Sequence, residues 1–200
     1  MVNELLNSLV GIAVFGFVTS VTPGPNNTYL LTSGMNFGTK KSLHYINGIM
    51  VGLIVMFSAM YLGVGALFKS YPIIQEVLKY VGFGYILYMA YKIVRSSFVH
   101  KHESVERVGF FRATAFQLVN PKAWIVVMMV VAAYVPATAT FVEGCTILAV
   151  FLITTYPGAV IWAAFGELLA GWLSKPTPRK IFNVSAAVLL VISMVPVLFL

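Results

Sequence analysis

Long apolar segments alternate with short polar ones along the chain. Six segments consist almost wholly of apolar residues, at roughly positions 5 to 31, 45 to 67, 77 to 95, 113 to 134, 145 to 169 and 181 to 200. An α-helix needs about 20 mostly apolar residues to cross the hydrocarbon core of a bilayer, so each segment is long enough to span it. They leave no room for a soluble catalytic domain within the 200 residues. We therefore predict an all-α integral membrane protein with six transmembrane helices.

Composition agrees with a protein whose solvent is the lipid bilayer, because 60% apolar and 10% charged residues lie far outside the soluble range. The single Cys145 excludes an internal disulfide and a cysteine metal cluster. A P-loop, an HExxH motif and a nucleophile, histidine and acid set are absent from the sequence. We expect no enzyme activity, no metal and no cofactor. The chain opens with Glu4 and stays apolar for longer than a signal peptide, so the first segment is expected to be retained.

The basic residues account for the formal net charge of +7 and orient the predicted helices. They gather in alternate connections, at Lys40 and Lys41, between positions 92 and 112, and between positions 175 and 180. Loops rich in Lys and Arg remain on the cytoplasmic side, so both termini are predicted to lie outside. These short loops lack the aromatic and structured surroundings of a nucleic-acid groove, and nucleic acid is not an expected partner.

The most polar connection, positions 94 to 112, divides the six segments into two groups of three. Because three is odd, the second group must enter the membrane in the opposite orientation, as in an inverted repeat. A shift of 96 positions brings Pro25 over Pro121, although few other identities support the match. We predict one membrane domain, 1 to 200, built from a first repeat at 1 to 98 and a second at 108 to 200.

The first predicted helix contains two prolines and a glycine, in the sequence TPGPNN at positions 22 to 27. Proline lacks an N–H group, so Pro23 frees the carbonyl of Thr19 and Pro25 frees the carbonyl of Val21. Residues before proline avoid the helical conformation, and glycine adds freedom between the two prolines. The helix is therefore expected to break here and not merely to bend.

Both sides of this break expose backbone charge. Pro25 suits the first position of a new helix, which leaves the N–H groups of Asn26, Asn27 and Thr28 unpaired at its positive end, where an anion binds well. The carbonyls that end the preceding half-helix attract cations or ammonium groups. Irregular backbone at membrane depth is tolerated only within protein or beside a wet cavity, and a zwitterion would satisfy both ends.

A second interruption falls within the fourth segment, in the sequence QLVNPKAW at positions 117 to 124. Pro121 frees the carbonyl of Gln117, and Asn120 and Lys122 add polar groups. A lysine at the centre of a membrane helix costs roughly 2.5 to 3.5 kcal/mol, so Lys122 is expected to point into the bundle. It could there meet a substrate carboxylate, a side chain or the carbonyls of the first break. The alternative is that it extends to the cytoplasmic surface.

Two further features are open to more than one interpretation. Glu167, near the end of the fifth segment, either pairs with Lys175 and Arg179 at the membrane surface or takes part in proton coupling. Two glycine pairs with GxxxG spacing, at positions 34 and 38 and at positions 48 and 52, are typical of close helix packing.

At the two proline motifs the sequence resembles the LysE/RhtB family of bacterial amino-acid exporters. That family has a TPGP-type motif in its first helix and an NPK-type motif in its fourth, which match positions 22 to 26 and 120 to 122 here. The segment GYILYMAYKIVRSS, positions 84 to 97, resembles the third family helix and its following loop, and GELLAGWL, positions 166 to 173, resembles the end of the fifth. The resemblance therefore covers the whole chain.

The resemblance implies a multi-pass protein of the bacterial cytoplasmic membrane that exports amino acids with the proton gradient. The segments TPGPNN and AVIWAAFGELL are most similar to the branch that exports cysteine and O-acetylserine. Many family members carry an aspartate early in the fifth helix, but the matching segment TTYPGAVIW has none, and Ala159 is the closest match to its position. Either Glu167 replaces that acid or the substrate gradient alone drives export.

We therefore predict an exporter of small amino acids or derivatives, either cysteine- and O-acetylserine-like or homoserine- and threonine-like. Asn26 and Asn27 with the half-helix amides are expected to hold one pole of the substrate, and Lys122 to gate or counter-charge the other. The alternative function is a membrane subunit without transport that binds a partner through its GxxxG faces. A homo-oligomer is left open. The predicted substrate-binding residues are Thr22, Pro23, Gly24, Pro25, Asn26, Asn27, Gln117, Asn120 and Lys122.

Overall fold

The structure, a computed structural model, describes residues 2 to 64, 70 to 95, 109 to 136, 139 to 172 and 176 to 198. Helices are the only regular elements among these residues, which confirms the predicted all-α class. In chain order they are α1 (Val2–Val21), α2 (Pro25–Phe37), α3 (Thr39–Ala59), α4 (Pro72–Arg95), α5 (Phe110–Val119), α6 (Pro121–Tyr134), α7 (Phe141–Leu169) and α8 (Pro176–Leu198).

Local chemistry explains several helix boundaries. Both α2 and α6 begin with proline, whose missing N–H group is not needed at the first helical position. A capping box begins α7, since Thr140 Oγ1 accepts from the Glu143 N–H group and the Glu143 carboxylate accepts from the Thr140 N–H group at 2.7 Å. After α3 the chain makes one π-helical turn, Met60–Val64, in which Gly63 adopts a φ of 113° that other residues rarely reach.

Two helix pairs are sharply bent at a short break. The axes of Leu9–Val21 and Pro25–Phe37 differ by 60°, and those of Phe110–Val119 and Pro121–Tyr134 differ by 73°. Within the described residues, two helices are by themselves long and apolar enough to cross a membrane, Thr39–Gly63 and Phe141–Leu169. The count rises to four if each bent pair is one span. The chain is thus a multi-pass membrane protein.

Helix α7 lies at the centre of the bundle, where it packs against α1, α2 and α3, and α3 in turn packs against α5. Fully buried side chains at these contacts include Phe151 and Ile147 of α7, Leu30 of α2, and Ile46 and Met56 of α3. This arrangement brings the broken ends of α1 and α2 close to α7, and the end of α5 close to α3.

Glycines allow these helices to approach each other closely. A Cβ atom at Gly34 of α2 would overlap the carbonyl oxygen of Ala163 in α7, and one at Gly166 would overlap the carbonyl oxygen of Leu31. Gly48 lies against the backbone of α5 in the same way. The packing interpretation of the GxxxG pairs therefore holds for these glycines.

Helices α4 and α8 pack mainly against each other, beside the central bundle. Ala90 of α4 and Ala187 of α8 are buried at their contact, and Ile125 of α6 packs against the same small cluster. Helix α6 therefore contacts both this peripheral pair and the second helix break, and α2 also contacts α8.

Candidate functional site

The backbone at the first break is extended between α1 and α2. Gly24 has φ 179° and ψ 178°, and the first hydrogen bond of α2 runs from the Thr28 N–H group to the Gly24 carbonyl at 2.9 Å. The expectation that the Thr28 N–H group stays unpaired is therefore wrong, because the Gly24 carbonyl still reaches it. The N–H groups of Asn26 and Asn27 precede this bond and lie at the positive end of the helix.

Side chains donate hydrogen bonds to three backbone carbonyls at this break, which are not the two that the prolines were expected to free. Asn27 Nδ2 donates to the carbonyls of Ser20 and Thr22, both at 2.7 Å. Lys122 Nζ donates to the carbonyls of Thr22 and Pro23, at 2.8 and 2.9 Å. Of the orientations that the sequence left open for Lys122, the structure thus has the one in which its ammonium group meets the first break. Hydrogen bonds from an ionised donor are roughly twice as strong as neutral ones.

The second break has its own backbone partners. Asn120 lies between α5 and α6 in an extended conformation, with φ −89° and ψ 104°. Its N–H group donates to the carbonyl of Gln117 at 3.1 Å, which is the carbonyl that Pro121 leaves without a helical donor. Trp124 Nε1 donates to the carbonyl of Leu118 at 2.9 Å. The carbonyls of Gln117 and Leu118 are therefore satisfied locally.

A pair of side-chain amides joins the two breaks. Asn26 Nδ2 donates to Gln117 Oε1 at 3.1 Å, and Gln117 Nε2 donates back to Asn26 Oδ1 at 3.0 Å. The hydroxyl of Tyr45 also donates to Asn26 Oδ1, at 3.3 Å. Gln117 is fully buried. It fits there because Gly52 of α3 has no side chain, and a Cβ atom at that position would overlap Gln117 Cγ.

A cavity of about 70 Å³ lies between the breaks. Seven of the nine predicted substrate-binding residues line it, while Thr22 and Pro23 contribute the carbonyls that hold Lys122. The residues that line it are Thr19, Ser20, Gly24, Pro25, Asn26, Asn27, Ile49, Leu53, Gln117, Asn120, Lys122, Ala123, Val126, Phe151, Thr155 and Ala159.

Sequence analysis did not identify the contribution of α7 to this cavity. Thr155, Phe151 and Ala159 line it. Only Ala159 carries a signal in the sequence, because the family resemblance implies an aspartate near its position. Two buried oxygen atoms of the lining have no hydrogen-bond partner, Asn120 Oδ1 and Thr155 Oγ1.

Glu167 lies outside the cavity lining, at the last turn of α7. Its carboxylate accepts from the backbone N–H group of Thr39 at 2.7 Å and also from the Thr39 hydroxyl, so it caps the start of α3. Lys175 and the side chain of Arg179, the partners considered from the sequence, lie outside the described residues.

The chemistry available at the site is that of backbone groups, amides, hydroxyls and one ammonium group. Within the described part of the chain, no three His, Cys, Asp or Glu side chains come together as a metal site would require. No carboxylate is found among the described residues that line the cavity. The arrangement therefore offers hydrogen-bond donors and acceptors to a small polar molecule.

Comparisons with known proteins identify relatives of the chain. The family model described as LysE type translocator matches residues 17–198. The chain is 32% identical over 160 residues to a cysteine/O-acetylserine efflux protein of Salmonella typhimurium, which covers 77% of this chain and 80% of that protein. It is 31% identical over 154 residues to a cysteine/O-acetylserine efflux protein of Klebsiella pneumoniae, and the match covers 77% of this chain and 74% of that protein. A leucine efflux protein of Salmonella typhimurium is 31% identical over 109 residues, and the match covers 52% of this chain and 51% of that protein. No solved structure matches the chain.

Proposed function

This chain belongs to the LysE type translocator family, and from that premise we propose that it exports small amino acids or their derivatives across the cytoplasmic membrane. The relatives named above are efflux proteins and not enzymes. The cavity between the two helix breaks is the observation that carries the proposal. A zwitterionic amino acid carries a carboxylate and an ammonium group, and it can therefore bind to the N–H groups and the oxygen atoms that meet in this cavity.

The substrate class follows from the size of the cavity and from the relatives. About 70 Å³ favours a short side chain over a long one. The relatives that cover most of this chain are described as cysteine/O-acetylserine efflux proteins. We infer a substrate with a short polar side chain, of the cysteine and O-acetylserine type or the homoserine and threonine type.

The order of helices supports an inverted repeat. In each half a bent pair comes first, α1 with α2 and α5 with α6, and a long apolar helix follows, α3 or α7. With α4 and α8 as third members, the proposal gives two repeats of three spans, at 1 to 98 and 108 to 200, with both termini outside. Rocking of one repeat against the other would open the cavity to each side of the membrane in turn.

Proton coupling is a finer part of the proposal. Since the described cavity lining has no carboxylate, we propose that Glu167 carries the proton by forming and releasing its contact with Thr39. Export driven by the substrate gradient alone is the alternative. An imposed pH gradient across the vesicle membrane distinguishes the two, because only coupled export responds to it.

The competing function, a membrane subunit that binds a partner through its GxxxG faces, has less support. Gly34, Gly48 and Gly52 already contact other helices of the same chain. These faces are therefore covered before any partner binds.

Counterflow in vesicles that contain only the purified protein tests the proposal. Vesicles loaded with one unlabelled amino acid are placed in trace radiolabelled cysteine, serine, homoserine, threonine or leucine. We expect uptake of the short polar amino acids above that of protein-free vesicles, and competition by the substrate itself. An absence of uptake for all of these amino acids would favour the subunit function.

A further inference from the structure

Two unpaired oxygen atoms at the wall of the cavity point to a ligand. Asn120 is 2% exposed and Thr155 is 9% exposed, yet Asn120 Oδ1 and Thr155 Oγ1 have no hydrogen-bond partner. Buried polar atoms in proteins are almost always paired, because an unpaired one costs free energy. Both residues line the same cavity, one from the second break and one from α7.

Thr155 differs from six other threonines of the described helices. A threonine in a helix commonly donates its hydroxyl to the carbonyl one turn earlier. Thr154, its neighbour in α7, donates to the Val150 carbonyl at 2.8 Å, and the Thr155 hydroxyl makes no such bond. The same backbone bond is made by Thr19, Thr28, Thr32, Thr114 and Thr146.

The side chain of Asn120 also lacks the hydrogen bond that is usual at its position in the helix. It is the N-cap residue of α6, a position at which asparagine usually accepts a hydrogen bond from its own helix. Its side chain makes no capping bond, so Oδ1 is left without a donor. An oxygen that can only accept needs a donor from elsewhere.

Several other acceptors near the cavity already have donors. The carbonyls of Ser20 and Thr22 accept from Asn27, and those of Thr22 and Pro23 accept from Lys122. An incoming ammonium group would have to displace a side chain to bind there. Asn120 Oδ1 and Thr155 Oγ1 require no such displacement.

Donors for a carboxylate lie in the lining of the same cavity. The Lys122 ammonium group has three hydrogens, and the two carbonyls of the first break take two of them. The N–H groups of Asn26 and Asn27 lie at the positive end of α2. The cavity therefore has donors for an anion and unpaired acceptors for a cation.

We propose that Asn120 and Thr155 bind the ammonium group of the exported amino acid, while Lys122 and the first N–H groups of α2 bind its carboxylate. An ammonium group has three hydrogens to donate, whereas a hydroxyl or thiol has one. This inference rests on the proposed function, because it assigns the two poles of the substrate within the same cavity.

The test uses Thr155→Val, which keeps the shape of the side chain and removes its hydroxyl. Binding to the purified protein is measured for L-cysteine, for 3-mercaptopropionate, which lacks the amino group, and for L-alanine, which lacks the thiol. We expect the preference of the wild-type protein for L-cysteine over 3-mercaptopropionate to fall by about 10- to 100-fold in the variant. The preference for L-cysteine over L-alanine should stay the same. Thr154→Val is the matched control and should change neither ratio.

Three results would overturn the assignment. One is a cysteine to mercaptopropionate ratio that does not change in Thr155→Val; if the cysteine to alanine ratio falls instead, Thr155 contacts the substrate side chain. Another is an equal effect of Thr154→Val. The third is an absence of L-cysteine binding to the wild-type protein. Binding is measured without transport, so the two proposals are tested separately. Vesicles that show no counterflow would refute only the proposed export, and the binding ratios would still test the ammonium site.

Discussion

The contact between Lys122 and the first helix break can be measured by a pair of substitutions. Lys122→Ala removes the hydrogen bonds to the carbonyls of Thr22 and Pro23, at 2.8 and 2.9 Å. Hydrogen bonds to charged groups contribute about 1.5 to 3 kcal/mol each, so the loss is about 3 kcal/mol at the low end of that range. The alanine variant also avoids the cost of placing a lysine at membrane depth, which is roughly 2.5 to 3.5 kcal/mol. The net change in unfolding free energy from this single substitution is therefore expected to be small.

A second substitution reveals the contact that the single one conceals. A Cβ atom at Gly24 would lie 3.0 Å from both Cδ and Nζ of Lys122, so Gly24→Ala forces the flexible end of the lysine to shift by a few tenths of an ångström. Moving a side chain off its preferred rotamer costs about 0.5 to 1.5 kcal/mol. In the Lys122→Ala background that cost should vanish, which gives a coupling energy of about 1 kcal/mol in a double-mutant cycle.

The assay is chemical unfolding of the purified protein in detergent micelles for the wild type, both single variants and the double variant. Gly84→Ala is the matched control, since no atom of the described residues lies within 4 Å of a Cβ built at Gly84. It should combine additively with Lys122→Ala. If Gly24→Ala and Lys122→Ala also add to within about 0.5 kcal/mol, Lys122 does not lie on the first break and the proposed geometry is wrong.

Two further predictions concern the packing around the site and its coupling. Gly34→Ala should destabilise the protein by about 1 to 3 kcal/mol, because the new Cβ atom overlaps the Ala163 carbonyl and pushes α2 away from α7. Gly84→Ala is the control and should be neutral or stabilising. Equal effects of the two variants on unfolding in detergent would contradict this packing. Glu167→Gln weakens the cap on Thr39, so we expect a lower melting temperature and loss of the response of vesicle export to an imposed pH gradient. If that response is retained, another group carries the proton.

The starts of α2 and α6 could be predicted from the sequence because their cause is local. A proline removes a specific N–H group wherever it occurs, so Pro25 and Pro121 mark helix starts without any knowledge of packing. The same local reasoning extends to the capping box of Thr140 and Glu143, which was visible in the sequence. The start of α7 was nevertheless predicted at position 145, because only its apolar run was considered.

Partners that depend on packing between helices could not be predicted. Lys122 had several orientations in the sequence analysis, and only the meeting of the two breaks selects the carbonyls. Thr155 cannot be told from Thr154 by pattern, because α7 contacts helices on several sides and has no polar face. Glu167 was considered beside basic residues of its own region, whereas the turn after α2 brings Thr39 to it.

The central claim is that the paired breaks form the substrate site of an exporter. Counterflow of radiolabelled L-cysteine into vesicles, compared between the wild type and the variants Asn26→Ala and Lys122→Ala, tests it most directly. The matched controls are Asn36→Ala and Lys41→Ala, since both residues are exposed and lie outside the cavity lining. The account predicts robust counterflow for the wild type and both controls, and counterflow at least tenfold lower, about 1.4 kcal/mol or more, for each site variant. Equal counterflow in all five proteins would contradict it.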